Sequence, residues 1–298
     1  MLAKRTIMKL LEFISFRILV AIFALVPYWK LYILSDFSYF LLYHVFGYRK
    51  KVVRDNLKKA FPNKTDEEIG KLCKKFFKHL SDITLESVKG MSIREKTIQK
   101  RYIVKNTEIA DKFFEEGKSV LCLTSHYGNW EYGILATDRP IKHQAIALYL
   151  PLTNKYSERY GLKRRKRFGM KMVAVQETKS IFNPPPKSPV AVIMAADQSP
   201  SNIERAIWTN FLGIETACLH GPEAYAKKTN MPVLYLKVSK LKRGYYTLEF
   251  EELIKNPDIC KAGEITKIYF ERFEKDIINQ PEYWLWSHRR WKHVKTKN

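Results

Sequence analysis

Side chains capable of acid–base chemistry are concentrated between residues 124 and 133, where the sequence reads TSHYGNWEYG. His126 is a candidate general base, and a carboxylate such as Glu131 beside it would raise its basicity and fix its tautomer. On a continuous helix, positions five apart are separated by about 140°, so these two side chains would not share a face. They can meet if His126 lies in a turn and the helix begins near Trp130. This arrangement predicts base catalysis by His126 with Glu131 as its partner.

The residues around this motif predict where the base lies. Residues 119–124 read SVLCLT, an apolar run typical of a strand buried on both faces, and Gly128 and Asn129 suit a turn followed by a helix N-cap. His126 would then lie at the carboxyl edge of a parallel strand, where open α/β sheets usually bind ligands. A capped helix with an incidental histidine is the alternative. A zinc site is not predicted, because the H-E-x-x-H spacing is absent and the other histidines form no ligand-spaced cluster.

Further short apolar runs predict the rest of a sheet. They lie at residues 145–150, 172–175, 190–196 and 232–238, and an alternating run at 245–250 can pair with the preceding strand through a basic turn at 240–244. Helical spacing extends to about residue 88 after a candidate N-cap at Asn63 or Thr65, and again over 264–279. Alternating strands and helices predict an α/β fold with a central, mostly parallel sheet flanked by helices.

Charge and cysteine content limit the classes of partner and compartment. The chain of 298 residues has 53 Lys and Arg against 30 Asp and Glu, a formal charge of +23. Such an excess predicts anionic partners: nucleic acid, phosphorylated lipid, a membrane surface or an acidic protein. The four cysteines are far apart and form no CxxC pair, which argues against a disulfide framework and favours a reducing compartment, the cytosol or its membrane face.

The first 48 residues predict a membrane anchor, followed by one large domain over 49–298. Residues 18–28 read ILVAIFALVPY, and the aromatic-rich residues 37–48 run directly into RKKVVRDNLKK, a basic segment. The first stretch is short for a span of about 20 residues, so both a tilted span and an in-plane anchor remain open. No small-residue cleavage site follows it, which argues against export. A pair of buried core helices is the alternative.

The sequence also carries a family resemblance. His126-x4-Glu131 resembles the motif of glycerolipid-type acyltransferases, and its GNWE form resembles the bacterial lipid A biosynthesis (lauroyl/myristoyl) acyltransferase family of the lysophospholipid acyltransferase-like superfamily. Four further segments agree in order, so the resemblance covers nearly the whole chain. They are DNLKKAFPNKT, RKRFG at 165–169, AADQ at 195–198 and PEYWLWSHRRWK at 281–292.

The resemblance implies a glycerol-3-phosphate acyltransferase-like fold and a membrane-associated O-acyltransferase. Such an enzyme moves a fatty acyl chain from acyl carrier protein to a hydroxyl of a phosphorylated lipid A precursor, on the cytoplasmic face of the inner membrane. The acyl-carrier thioester is a co-substrate, and no metal or other cofactor is implied. The expected partners are acyl carrier protein, the phosphorylated lipid acceptor and an anionic membrane surface, and not nucleic acid.

The resemblance also assigns residues to the site. His126 would be the general base and Glu131 its orienting partner, without a covalent enzyme intermediate. Arg165 would hold a phosphate or carboxylate through its guanidinium fork, unless it belongs to a solvated charge run at 163–167. Four residues are implied to contact substrate: Asn129, which also suits a plain N-cap, Asn154, Arg165, and Asp197, which a helix-cap role also explains.

One departure from the family leaves the acceptor open. Many relatives have an arginine where this chain has Leu150, so the same chemistry on another glycolipid, an aminolipid or a phosphatidylinositol mannoside is an alternative. Two other classes of protein compete. A nucleic-acid-binding protein would explain the charge and the C-terminal tryptophans, whose other interpretation is a structural signature of the fold. A non-catalytic membrane scaffold would tolerate substitution of both His126 and Glu131.

Overall fold

The computed structural model describes residues 2–184 and 186–295, with side chains from residue 6 onward. In this part of the chain the α-helices are α1 (Leu2–Leu25), α2 (Tyr28–Phe40), α3 (Lys50–Ala60), α4 (Asp66–Gly90), α5 (Glu95–Arg101), α6 (Glu108–Glu115), α7 (Trp130–Ala136), α8 (Lys155–Arg165), α9 (Gly221–Thr229) and α10 (Glu264–Asn279). The strands are β1 (Tyr102–Lys105), β2 (Val120–Thr124), β3 (Gln144–Tyr149), β4 (Lys171–Ala174), β5 (Val190–Ala195), β6 (Ile207–Phe211), β7 (Ile214–Cys218), β8 (Val233–Lys242) and β9 (Tyr245–Ile254).

The main sheet has seven strands in the order β1-β9-β8-β2-β5-β3-β4. All neighbours are parallel except β8 and β9, which form an antiparallel hairpin. The predicted α/β fold with a mostly parallel sheet is therefore confirmed, and so is the hairpin predicted around residues 240–244. Strand β1 and the separate antiparallel pair β6–β7 were not predicted from the sequence.

Strand β2 lies inside the sheet and positions the motif that follows it. Val120, Leu121 and Cys122 are fully buried, as expected for a strand covered on both faces. The neighbouring strand β5 runs parallel, with Thr124 paired to Ala195. Because the two strands end side by side, the residues just after them meet at one edge of the sheet.

Helix α4 contacts the turn that follows β2, where His79 Nε2 lies 3.3 Å from the Gly128 carbonyl oxygen. Thr65 is its N-cap: the Thr65 side chain accepts from the backbone N–H of Glu68, while the Glu68 carboxylate accepts from the backbone N–H of Thr65 at 2.7 Å. This reciprocal capping box, with acidic residues in the first turn, explains why the helix begins at Asp66. The predicted helix is confirmed and ends two residues later, at Gly90.

The N-terminal helices pack against the rest of the protein. The Lys89 ammonium in α4 donates to three carbonyls at the end of α1, those of Phe23, Ala24 and Val26. Such a cation satisfies carbonyls that a helix leaves free at its C-terminus. No helix in the described residues is both long and apolar enough to cross a membrane.

Candidate active site

His126 lies at the carboxyl edge of β2, and three backbone contacts hold its segment. The His126 N–H donates to Asp197 Oδ2 at 3.0 Å, and the Leu285 N–H donates to the His126 carbonyl at 3.1 Å. One residue before Asp197, the Ala196 N–H donates to the Thr124 carbonyl at 3.0 Å. The turn after β2, the turn after β5 and the C-terminal segment therefore converge on the histidine.

The side chain of His126 is hydrogen-bonded to Asp197. Its Nδ1 lies 2.8 Å from Asp197 Oδ1, and the indole N–H of Trp284 donates to Asp197 Oδ2 at 2.9 Å. A carboxylate accepts, so Nδ1 carries the proton and Nε2 is left as the basic nitrogen. The His126 side chain is 24% exposed and that of Asp197 is 2% exposed. The arrangement is a partly exposed imidazole whose orienting carboxylate is buried.

This geometry shifts the pKa of both groups. Burial lowers the pKa of His126, but the charge and hydrogen bond of Asp197, with the charge of Glu131, outweigh burial and leave it above its usual value. Burial raises the pKa of Asp197, but the charge and hydrogen bond of His126 and the hydrogen bond from Trp284 outweigh it, so this pKa lies below its usual value. The pair therefore favours an ionised Asp197 and a more basic His126.

The geometry of Glu131 differs from the sequence prediction. Its carboxylate is paired with the Arg165 guanidinium, whose Nη2 lies 2.8 Å from Oε1 and whose Nε lies 3.1 Å from Oε2. Both side chains are 22% exposed. Asp197 therefore occupies the position next to His126 Nδ1 that the sequence interpretation gave to Glu131. The physical reason is that sheet pairing brings the end of β5 beside the end of β2, whereas α7 carries Glu131 toward α8.

Gly128 makes the turn between His126 and α7 possible. Its φ is +61°, and a Cβ on this residue would lie 2.7 Å from Val238 Cγ1. Its N–H donates to the Tyr283 carbonyl at 3.0 Å. Only glycine combines the left-handed conformation with this close approach. The glycine of the GNWE motif is thus required by the backbone.

Asn129 caps α7 from a buried position. Its Oδ1 accepts from the Tyr132 N–H at 2.9 Å, and its Nδ2 donates to Glu86 Oε2 at 2.6 Å. Tyr246 also donates to Glu86 Oε2, at 2.8 Å, and burial raises the pKa of Glu86 to about 7. Asn129 is only 1% exposed, so the structure supports the N-cap interpretation over a direct substrate contact.

A comparison of this chain with protein families identifies its family. A family model described as bacterial lipid A biosynthesis acyltransferase matches residues 4–293. The chain belongs to this family. A search of curated proteins found no match. As a member of this family, the protein is an acyltransferase, an enzyme that moves an acyl group from a donor to an acceptor, here a lipid.

In this acyltransferase, Asn154 joins two helices. Its Oδ1 accepts from the N–H groups of Tyr156 and Ser157 and so caps α8. Its Nδ2 donates to the Lys9 carbonyl at 2.9 Å and to Glu12 Oε2 at 3.2 Å, both in α1. The contacts of Asn154 therefore indicate a structural role, in place of the substrate contact that the resemblance implied.

The arginines beside Glu131 have specific partners. Arg167 Nη2 donates to the carbonyls of Gly90 and Ile93 at 2.6 and 2.8 Å, and Arg164 Nε donates to that of Met91. These contacts cover the C-terminus of α4, and burial together with the charge of Arg164 lowers the pKa of Arg167 to about 10. The alternative of a solvated charge run at 163–167 does not describe these side chains.

The acyltransferase site includes one residue whose role the sequence did not reveal, Trp284. Within PEYWLWSHRRWK, Trp284, Trp286 and Trp291 are 2%, 1% and 9% exposed. They belong to the core, which leaves little surface for stacking on nucleic acid bases. The signal in the sequence that could have indicated Trp284 is the family segment at 281–292, which was interpreted as a structural signature.

Across the described part of the chain, no three His, Cys, Asp or Glu side chains are arranged to hold a metal ion.

Proposed function

We propose that this acyltransferase transfers a fatty acyl chain from acyl carrier protein to a hydroxyl of a phosphorylated lipid A precursor. The observation that carries the proposal is the 2.8 Å hydrogen bond between His126 and buried Asp197 at the edge of the sheet. It leaves Nε2 available to an acceptor hydroxyl, and general base catalysis of this kind contributes about 10²- to 10⁴-fold.

The reaction then follows from the tautomer. His126 Nε2 removes the proton of the acceptor hydroxyl as that oxygen bonds to the thioester carbonyl carbon. Asp197 stabilises the imidazolium through its negative charge and keeps the ring oriented. The tetrahedral intermediate collapses, the carbon–sulfur bond breaks, and the proton on Nε2 passes to the leaving thiolate. The products are the acylated lipid and the carrier thiol, with His126 neutral again.

The Glu131–Arg165 pair supports binding of an anionic acceptor. The Glu131 carboxylate accepts hydrogen bonds from Arg165 Nε and Nη2, and these bonds fix the plane of the guanidinium. An arginine has five N–H groups, and those that remain can donate to a phosphate. In this proposal Glu131 acts by orienting Arg165 and by adding negative charge near His126. The net charge of +23 creates a positive potential that attracts an acidic carrier protein and anionic lipid before they make contact.

Exposed apolar residues on α1 support attachment to the cytoplasmic face of the inner membrane. They recur at helical spacing and form a surface that we call the apolar stripe: Ile7, Leu11, Ile14, Ile18, Ile22 and Leu25, each at least 43% exposed. Trp29, Ile33, Phe37 and Phe40 continue exposed apolar surface along α2. Contiguous apolar surface next to basic residues is typical of a helix lying in a membrane interface. We propose this in-plane arrangement for the N-terminal anchor.

The identity of the acceptor is tested by mass spectrometry of lipid A. Cells lacking the gene are compared with cells complemented by the wild type or by His126→Ala. We expect one acyl mass to be missing from lipid A and restored only by the wild type. Leu150, which is 69% exposed, stands where many relatives have an arginine, so another acceptor is the alternative that this experiment also tests. Unchanged lipid A with a new change in another glycolipid or aminolipid would move the activity to that acceptor.

A further inference from the structure

We propose that the Gln198 carboxamide donates a hydrogen bond to the thioester carbonyl oxygen as negative charge develops on it. This inference rests on the proposed function. It identifies a donor for the oxyanion, a role that neither His126 nor Asp197 fills. Gln198 Nε2 lies 3.5 Å from His126 Nε2. Nε2 is the nitrogen that must receive the acceptor proton, so this amide is beside the reacting atoms.

The main chain around Gln198 is held in place. Asp197, the preceding residue, bonds His126, and the following N–H, that of Ser199, donates to His288 Nε2 at 3.1 Å. Burial lowers the pKa of His288, which keeps that nitrogen available as an acceptor. Beyond Ser199, the Pro200 carbonyl lies 2.9 Å from His293 Nε2. Gln198 therefore carries a partly exposed side chain on a fixed backbone, so only its side-chain torsions must change to place the donor.

The distances suit an oxyanion donor. An acceptor hydroxyl that gives its proton to His126 lies about 3 Å from Nε2. In the tetrahedral intermediate, the oxygen of this hydroxyl is bonded to the thioester carbonyl carbon. A useful donor lies about 3 Å from the developing oxyanion. An amide nitrogen 3.5 Å from His126 Nε2 can reach that position by rotating its side chain. In the free enzyme, this amide nitrogen lies at the outer limit of hydrogen-bonding distance from His126 Nε2.

The step needs no proton from Gln198. As the acceptor oxygen bonds to the carbonyl carbon, the carbonyl electron pair moves to oxygen, and the amide N–H stabilises that charge. When the pair returns, the carbon–sulfur bond breaks and His126 protonates the sulfur. The amide is unchanged at the end, so its contribution belongs to the transition state and not to the binding of the donor.

The test compares Gln198→Ala and Gln198→Glu with the matched control Gln99→Ala, an exposed glutamine in α5. Turnover is measured with acyl carrier protein thioester and lipid A precursor. Affinity is measured separately for a carrier that bears the acyl chain as a thioether, which lacks the carbonyl. We expect kcat to fall about 100-fold in Gln198→Ala, the range for loss of one oxyanion donor, with thioether affinity within about threefold of wild type.

Gln198→Glu nearly conserves size but replaces the donor with a negative charge. We expect it to lose at least as much kcat and to move the acid limb of the pH–rate profile to higher pH, because the charge favours protonated His126. Turnover of Gln198→Ala within threefold of wild type would overturn the inference, as would equal losses of turnover and thioether affinity. An inactive wild type would instead overturn the proposed function, so the two failures are distinct.

Discussion

Asp197 Oδ1 lies 2.8 Å from His126 Nδ1, although the two residues are 71 positions apart in the chain. Strands β2 and β5 are adjacent and parallel, and each residue follows the end of its strand by two positions. The backbone N–H of His126 donates to the other oxygen of the same carboxylate, which fixes the carboxylate relative to both the ring and the main chain. The sheet itself thus aligns His126, the proposed base.

Asp197→Asn should impair turnover and change its pH dependence. The amide removes the charge that raises the His126 pKa and favours the wrong tautomer, so we expect kcat to fall about 10²- to 10⁴-fold. Activity requires neutral His126 and is lost as pH falls through its raised pKa. Without the carboxylate that pKa falls, so the acid limb should move to lower pH. The pH–rate profile checks this, with exposed Asp258→Asn as the control. An unmoved acid limb would contradict the pairing.

Trp284→Phe should reduce turnover by about tenfold, the effect expected for one hydrogen bond to a charged group. The change removes the indole N–H that donates to Asp197 Oδ2 at 2.9 Å. Trp291→Phe is the matched control, since it removes a buried indole N–H that donates to Thr216 Oγ1 at 2.9 Å. Thermal unfolding should show comparable losses in both variants. Equal kcat values for the two would argue that Trp284 serves only the core.

The sequence predicted His126 as a candidate base but not Asp197 as its hydrogen-bond partner, and the reason is physical. Apolar runs located β2 and β5 because both are buried, and Gly128 and Asn129 signalled the turn. Strand order is decided by packing across the whole sheet, so nothing local indicated that these two strands are neighbours. The sequence therefore predicts Glu131, the carboxylate five positions along, as the partner of His126.

The hairpin β6–β7 was not predicted from the sequence, for a different reason. It lies outside the main sheet, and its strands mix apolar residues with polar ones such as Thr209, Asn210 and Glu215, without a continuous apolar run. Leu212 and Gly213 form its turn with positive φ values of 53° and 75°. A single glycine after an ordinary leucine is a weak turn signal. The neighbouring C-terminal segment, through Trp291 and Arg290, covers this hairpin.

The Glu131–Arg165 pair should behave as one unit in turnover. Glu131→Gln removes the negative charge and one of the two oxygens that hold the guanidinium plane, and Arg165→Ala removes the proposed phosphate donor and leaves Glu131 without this partner. We expect Glu131→Gln to lower turnover more than carrier affinity. We also expect the double variant to lose much less than the product of the single losses, with a coupling of about 1 kcal/mol or more. The measurement is a double-mutant cycle on kcat/KM. Additive losses would show that the two residues act separately.

The apolar stripe should govern membrane binding. Leu11→Glu with Ile18→Glu places two charges on exposed positions of α1 that are 57% and 56% exposed, so folding should be preserved. The control carries the same changes at Ile103 and Ile259, which are 43% and 78% exposed and lie in β1 and in the turn Pro257–Ile259. Sedimentation with vesicles containing anionic phosphatidylglycerol should show about tenfold or greater loss for the stripe variant alone. Equal binding of the two variants would place the attachment elsewhere.

Gly128→Ala should lower both stability and turnover. The methyl group would lie 2.7 Å from Val238 Cγ1, and the residue would have to keep a positive φ. Gly213→Ala is the matched control: its φ is also positive, at +75°, but its Cβ would have no neighbour within 4 Å. Both variants incur the backbone cost of about 1 kcal/mol, and overpacking adds about 1–3 kcal/mol at Gly128 only. Chemical denaturation measures the difference in free energy of unfolding. Only Gly128→Ala should also lower kcat, because the displaced turn carries His126. Equal destabilisation of the two variants would show that Val238 yields to the methyl group, and an unchanged kcat would show that the turn does not align the base.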